Sequence, residues 1–190
     1  MTKVRLEIDE IKIHRPKKNW NLYFVILADH PTEEDKMIMT TLPASGPFKL
    51  SRRHQNTFLF DTEELGAEGL FVLSRELPED RELNVHIRLF HTRKPTRDLG
   101  EILTNVEEGV AGDAFGIVDN IVGSTLQWLV LAKTAVSMVG KILTKVKDRP
   151  FGFASAFERF GSEFEELSEI DREKHFTGDA SLVYSWSVDE

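Results

Sequence analysis

The sequence predicts a mainly β protein: an eight-stranded antiparallel β-sandwich with a helical insertion before its last strand. Three observations predict it. Short segments alternate apolar and polar residues with the period of two that a half-buried strand requires. Turn residues recur between them, at Pro43, Gly46-Pro47, Pro78 and Pro95. Last, a long stretch from about Val110 to Lys174 carries a helix-spaced apolar pattern before the chain returns to one more alternating run, Ala180 to Val188.

Along residues 3–13, Val4, Leu6 and Ile8 face one way and Lys3, Arg5, Glu7 and Asp9 the other. The phase slips at Asp9-Glu10, after which Ile11 and Ile13 are the apolar positions, so a β-bulge is expected there to return both sets to the core. His14 to Asn19 reads as a turn. Trp20 to Ala28 is an almost unbroken apolar run, which predicts a central strand covered on both faces. Further strands are expected at Lys36–Leu42, Asn56–Asp61, Gly69–Leu77, Glu82–His91 and Asp98–Thr104. Glu82–His91 alternates most cleanly, Leu83, Val85, Ile87 and Leu89 against Asn84, His86 and Arg88. In the last strand Leu182, Tyr184, Trp186 and Val188 alternate with Val183, Ser185 and Ser187. Short strands with frequent turns point to a sandwich.

The division expected is residues 1–108 with 178–190 as the sandwich and 109–177 as the helical insertion. From Asp113 to Lys147 the apolar positions are too dense for a surface helix, leaving a narrow polar stripe at Asp113, Asn120, Ser124, Gln127, Thr134, Lys141 and Lys145. Between Asn120 and Gly140 the only formal charge is Lys133. Asp148-Arg149-Pro150 ends the element. A second helix is expected over Phe151–Ile170, with Phe153, Phe157, Phe160, Phe164 and Leu167 at helical spacing and Glu163, Glu165, Glu166 and Glu169 outward.

Composition narrows the function. Hydrophobic residues make up 41% and charged residues 29%, values of a soluble globular chain. The net charge of −8 argues against a nucleic-acid partner, which most of the surface would repel. Without cysteine there is no disulfide, thiolate metal site or cysteine nucleophile. The first residues alternate charged and apolar side chains and lack the apolar core of a signal peptide, so the chain is expected to be cytoplasmic when made. The six histidines form no H-x-x-x-H pair, the serines lie in no G-x-S-x-G turn, and no glycine-rich phosphate loop is present; Gly112 to Gly116 is too sparse for one. A pairing of Asp171 with His175 reads as surface decoration. The expectation is a protein without catalysis and without cofactor.

The run Gln55-Asn56-Thr57-Phe58-Leu59-Phe60-Asp61, the strand Leu83-Asn84-Val85-His86-Ile87-Arg88-Leu89-Phe90 and the stretch Arg97-Asp98-Leu99-Gly100-Glu101-Ile102 together resemble the C2 domain (protein kinase C conserved region two). The likeness covers about the first 105 residues and the final strand. It implies a β-sandwich in which the basic loops would share one tip. In that family the calcium ligands are loop aspartates. Here the corresponding loop reads His91-Thr92-Arg93-Lys94-Pro95-Thr96-Arg97, and cationic side chains supply no oxygen ligands. Calcium-independent binding is expected.

Two constellations stand out. Eight of the 24 lysines and arginines crowd into three loops: Arg15, Lys17 and Lys18; Arg52 and Arg53; Arg93, Lys94 and Arg97. His14, His54 and His91 lie beside them. On one shared tip they would form an anion-binding surface, each cation worth about 1 kcal/mol near an anionic bilayer. If Gly69–Leu77 is a full traverse of its own, strand parity moves the third loop to the other end. Scattered, the same residues are ordinary solvated turns. The second constellation is the apolar stretch. It packs on the sandwich or on the second helix, or it pairs with another copy through Gly112, Gly116, Gly123, Ala132, Ala135 and Gly140, or it meets lipid. Asn120–Gly140 has the length of a membrane span, but Asn120, Ser124, Gln127, Lys133, Thr134 and Ser137 make spanning costly. Lying in the interface plane costs less, with Trp128 and the basic end placed for it. Self-association or lipid contact would use Phe115, Val118, Val122, Leu126, Trp128, Leu129, Val136 and Val139.

The expected function is therefore a binding or assembly module, docking on an anionic phospholipid surface or an acidic protein at the membrane periphery, with homo-oligomer formation through the apolar stretch. The alternative is a pore-forming effector that releases that stretch on contact.

Overall fold

A computed structural model describes residues 2–14, 19–29, 37–43, 46–51, 56–60, 69–94, 148–177 and 180–189. They form β1 (Lys3–Ile13), β2 (Asn19–Asp29), β3 (Met37–Leu42), β4 (Phe48–Ser51), β5 (Thr57–Leu59), β6 (Leu70–Glu76), β7 (Glu82–His91), β8 (Arg149–Arg159), the single-turn α1 (Glu163–Glu166), β9 (Glu169–His175) and β10 (Ala180–Asp189). The expected sandwich is present, as two antiparallel sheets. In sheet A, β9 pairs with β10 and β10 with β1, while β5 and β6 both pair with the far side of β1. In sheet B, β8 pairs with β7 and β7 with β2, while β3 and β4 both pair with the far side of β2.

This pairing settles the parity question. β5 and β6 are both antiparallel to β1, so they run the same way and share one lane; β3 and β4 share another along β2. The ten strands of the described residues thus fill eight lanes. Gly69–Leu77 is the second half of a traverse, not a traverse of its own, and β7 therefore ends where β1 ends.

The interior follows from the alternation. Val4, Leu6, Ile8, Ile11 and Ile13 of β1 all enter it at 0–1% exposure. The register skips Asp9, with Ile8 opposite Tyr184 and Glu10 opposite Val183, so the bulge expected from the phase slip is there. The opposing sheet supplies Trp20, Leu22, Phe24, Ile26 and Ala28 from β2 and Leu83, Val85, Ile87 and Leu89 from β7. Phe24, Phe48, Phe58 and Phe60 form a chain of ring contacts 4.9–6.0 Å apart. Each fully buried side chain of this size contributes about 1.5–3 kcal/mol.

The second helix expected over Phe151–Ile170 is not formed. Arg149–Arg159 is a strand paired along β7, and only Glu163–Glu166 is helical before β9 begins. The spacing misleads for a simple reason. Positions four apart share a helix face, but four is even, so they share a strand face as well. Phe153 and Phe157 lie on the outward face of β8 at 44% and 50% exposure, while the small Ala154 and Ala156 face inward. Phe160 and Phe164 do enter the core, the rings 4.9 Å apart, with Phe160 edge-on to Trp186. The predicted insertion is thus β-sheet from Arg149 onward, apart from this turn. Its first part, residues 109–147, and the strand expected at Asp98–Thr104 lie outside the described residues.

A candidate anion-docking end

The loops at one end of the sandwich are fixed by their anchors. β1 finishes at Ile13 and β2 starts at Asn19, where it pairs with Ser51, the last residue of β4. The loop after Ser51 returns at Asn56, whose carbonyl accepts the Ile13 N–H at 2.8 Å. Asn56 makes this tight return with φ of 60°, a conformation asparagine tolerates better than most residues. β7 also finishes here: His91 pairs with Leu22, and the Thr92 N–H donates to Asn21 O at 3.0 Å. The fourth connection at this end joins β9 to β10, and the His14 and His175 rings lie 6.3 Å apart across it.

The anchors of all three basic loops therefore meet at one end. Arg93 and Lys94 are described and exposed there. Their orientation has a local cause: the fully buried Thr92 accepts the Lys94 N–H on its hydroxyl at 3.1 Å, a turn that leaves both cations in solvent. Arg15, Lys17, Lys18, Arg52, Arg53 and Arg97 lie outside the described residues, each within three positions of an anchor. Beneath the tip, Trp20 packs edge-on against His91 at 5.2 Å and Phe151 at 5.1 Å, an aromatic floor joining β2, β7 and β8.

The structure adds cations that the sequence reading did not assign to this end. Arg149 opens β8 opposite His91, and Lys174 sits near the end of β9; both are exposed. A helical reading of their surroundings hid them, because position along a strand, which decides the end, has no meaning on a helix.

The opposite end is acidic in excess, with Arg81 and Arg159 among its carboxylates. Glu79, Asp80, Glu163, Glu165, Glu166 and Glu169 are exposed there. Between Asp80, Glu82, Arg159 and Glu165 lies a shallow cleft of about 250 Å³, crossed by an Arg159–Glu82 ion pair. Among the described residues no three His, Asp or Glu side chains are placed to share a metal ion, and no helix is long and apolar enough to cross a membrane. The residues expected in self-association or lipid contact, Phe115, Val118, Val122, Leu126, Trp128, Leu129, Val136 and Val139, lie outside the described residues.

No family model matches the chain, and no curated protein matches it. Among solved structures it is similar to one titled "Structure of a C2 domain", with 5% sequence identity and a TM-score of 0.41 over 100% of both chains.

Proposed function

We propose that the protein is a binding module that docks through the basic end of its sandwich on an anionic phospholipid surface. The observation that carries this reading is the meeting of the three loop anchors at one end of an otherwise acidic molecule. Eight cations tethered to that end would each contribute about 1 kcal/mol at a bilayer of anionic lipid, within a Debye length of about 8 Å. The aromatic floor packs together the ends of β2, β7 and β8 from which the first and third loops spring. Chelation of calcium is not part of this reading: the charge the loop presents is already positive.

Co-sedimentation with vesicles tests it. Binding is expected to vesicles containing phosphatidylserine, not to neutral ones, to weaken as salt is raised, and to be unchanged in EGTA. Replacing Arg15, Lys17, Lys18, Arg52 and Arg53 with Glu is expected to abolish it, and Arg93→Glu with Lys94→Glu to weaken it by roughly thirty-fold or more, since two cations worth about 1 kcal/mol each are lost and two anions take their place. Undiminished binding by the five-fold reversal overturns the proposal. Retention of binding only by an acidic protein, with none to vesicles, moves the site to a protein partner.

A further inference from the structure

Along β2 and at the end of β7, sheet B is buried on both sides. Its interior side faces sheet A. On its outer side, Tyr23, Val25 and Leu27 of β2 are 0%, 1% and 5% exposed and Phe90 of β7 is 1% exposed. None of the four belongs to the interior cluster, which takes the alternate residues of the same strands. The Tyr23 and Phe90 rings stack at 5.5 Å. The next row holds His86 and Arg88, both half-buried, and burial pushes both groups down from their ordinary values. The outer side of sheet A is of a different kind. It presents Arg5, Glu7, Glu10 and Lys12 from β1, and Glu169, Asp171 and Glu173 from β9.

An apolar face at such low exposure has something over it. Every described strand belongs to one of the two sheets, and α1 sends Phe164 into the interior, so among the described residues no element lies across this face. The connections that the sequence leaves for the task are unequal. Residues 30–36 and 61–68 are mainly polar and acidic and offer little apolar surface. Residues 113–147 are densely apolar. They also leave and return in the right place. β7 and β8 are neighbours in sheet B, with His91 opposite Arg149, and a hairpin between them needs only two to five residues or so; the chain spends 92–148 on it. It re-enters on the outer side: Asp148, 6% exposed, accepts the Tyr23 hydroxyl at 3.0 Å.

We propose that the outer face of sheet B is the seat of the chain's own apolar stretch, residues 113–147, in the same molecule. Phe153 and Phe157, on the same face but one strand further out and half-exposed, mark the margin of the seat. This goes beyond the docking reading and is independent of it. It assigns the stretch an intramolecular partner, and leaves the basic end as the surface offered to others.

The absence of cysteine from these 190 residues allows a direct test in the intact chain. Ser155→Cys and Arg88→Cys place a thiol on this face; each is combined in turn with Val118→Cys, Val122→Cys, Leu126→Cys, Leu129→Cys or Val136→Cys and oxidised. Ser187→Cys, on the outer side of sheet A, is the control. The expected result is loss of both thiols, at monomer mass, in at least one pair with the Ser155 or Arg88 probe, and none with Ser187. Ser155→Cys exchanges one small side chain for another and keeps the test open should Arg88→Cys fold poorly. Cross-links only at dimer mass assign the face to a second copy and overturn the proposal, as does no cross-link with either probe, or an equal yield with the control. The vesicle assay reads the basic end whatever this result, so failure of one proposal is distinguishable from failure of the other.

Discussion

Asp9 shows how much a single residue can reveal in the sequence and what stays hidden. Its bulge is legible, because the apolar phase on either side of it slips by one. Its environment is not. The bulged carboxyl lies over Gly69, where an added Cβ would come within 2.6 Å of its Oδ1, so only glycine fits without displacing it. Burial, opposed by the Ser185 hydrogen bond at 3.3 Å and reinforced by Asp171, Glu7 and Glu169, pushes the carboxyl up to about 7. The folded value lies above the ordinary 3.8, so the fold disfavours the charged form. This contribution therefore weakens the protein as pH rises through 7 and is relieved as pH falls toward 4. Asp9→Asn keeps an acceptor for Ser185 and removes the charge. At pH 8 it is expected to raise the melting temperature by about 3 °C, corresponding to about 1 kcal/mol after screening for partial exposure. The gain should shrink at pH 5. An equal gain at both pH values in thermal melts would show that Asp9 is not the titrating group.

At the scale of elements, the strands whose one face is core and whose other face is polar were legible: β1, β7 and β10 agree with their expected ranges to within a residue. β8 and β9 were not. The inward positions of β8 are Ala154, Ala156 and Glu158, too small or too polar to mark a core face, while its two phenylalanines point out. What holds these edge strands together is polar and non-local. Arg172 of β9 donates to both Glu158 oxygens on β8, at 3.0 and 3.2 Å, and to Glu163 of α1 at 2.9 Å, joining the two sheets along their open edge. Glu158 is nearly buried, its side chain 9% exposed, so the loss of its partner strands a charge. Arg172→Met is expected to cost about 2 kcal/mol, since Arg172 and Glu163 are partly solvated, and to lower the melting temperature by about 4–8 °C. Adding Glu158→Gln should recover part of that loss. A double-mutant cycle with no coupling between the two positions would show that the edge is held by packing alone.

For the molecule as a whole, a net charge of −8 conceals a polarity that becomes visible only when strand direction is known. The sequence groups the cations into three loops, but the meeting of those loops' anchors at one end depends on β5 and β6 sharing a lane, a long-range pairing to β1 that no local pattern reports. The same topology sends Glu79, Asp80, Glu165 and Glu166 to the far end, roughly 30 Å away along a ten-residue strand such as β7. That separation is several Debye lengths at physiological salt, and it makes orientation testable apart from net charge. Reversing those four acidic residues to Lys brings the formal charge from −8 to zero. If docking is a property of net charge, binding to anionic vesicles should strengthen by orders of magnitude. If the basic end alone meets the surface, the four changes lie beyond the reach of its field, and affinity is expected to move by less than about two-fold at physiological salt. At low salt, where the Debye length grows to about 30 Å, the same variant should gain affinity measurably. A strong gain already present at physiological salt would remove the oriented end-on arrangement and leave only general attraction between a less acidic protein and the bilayer.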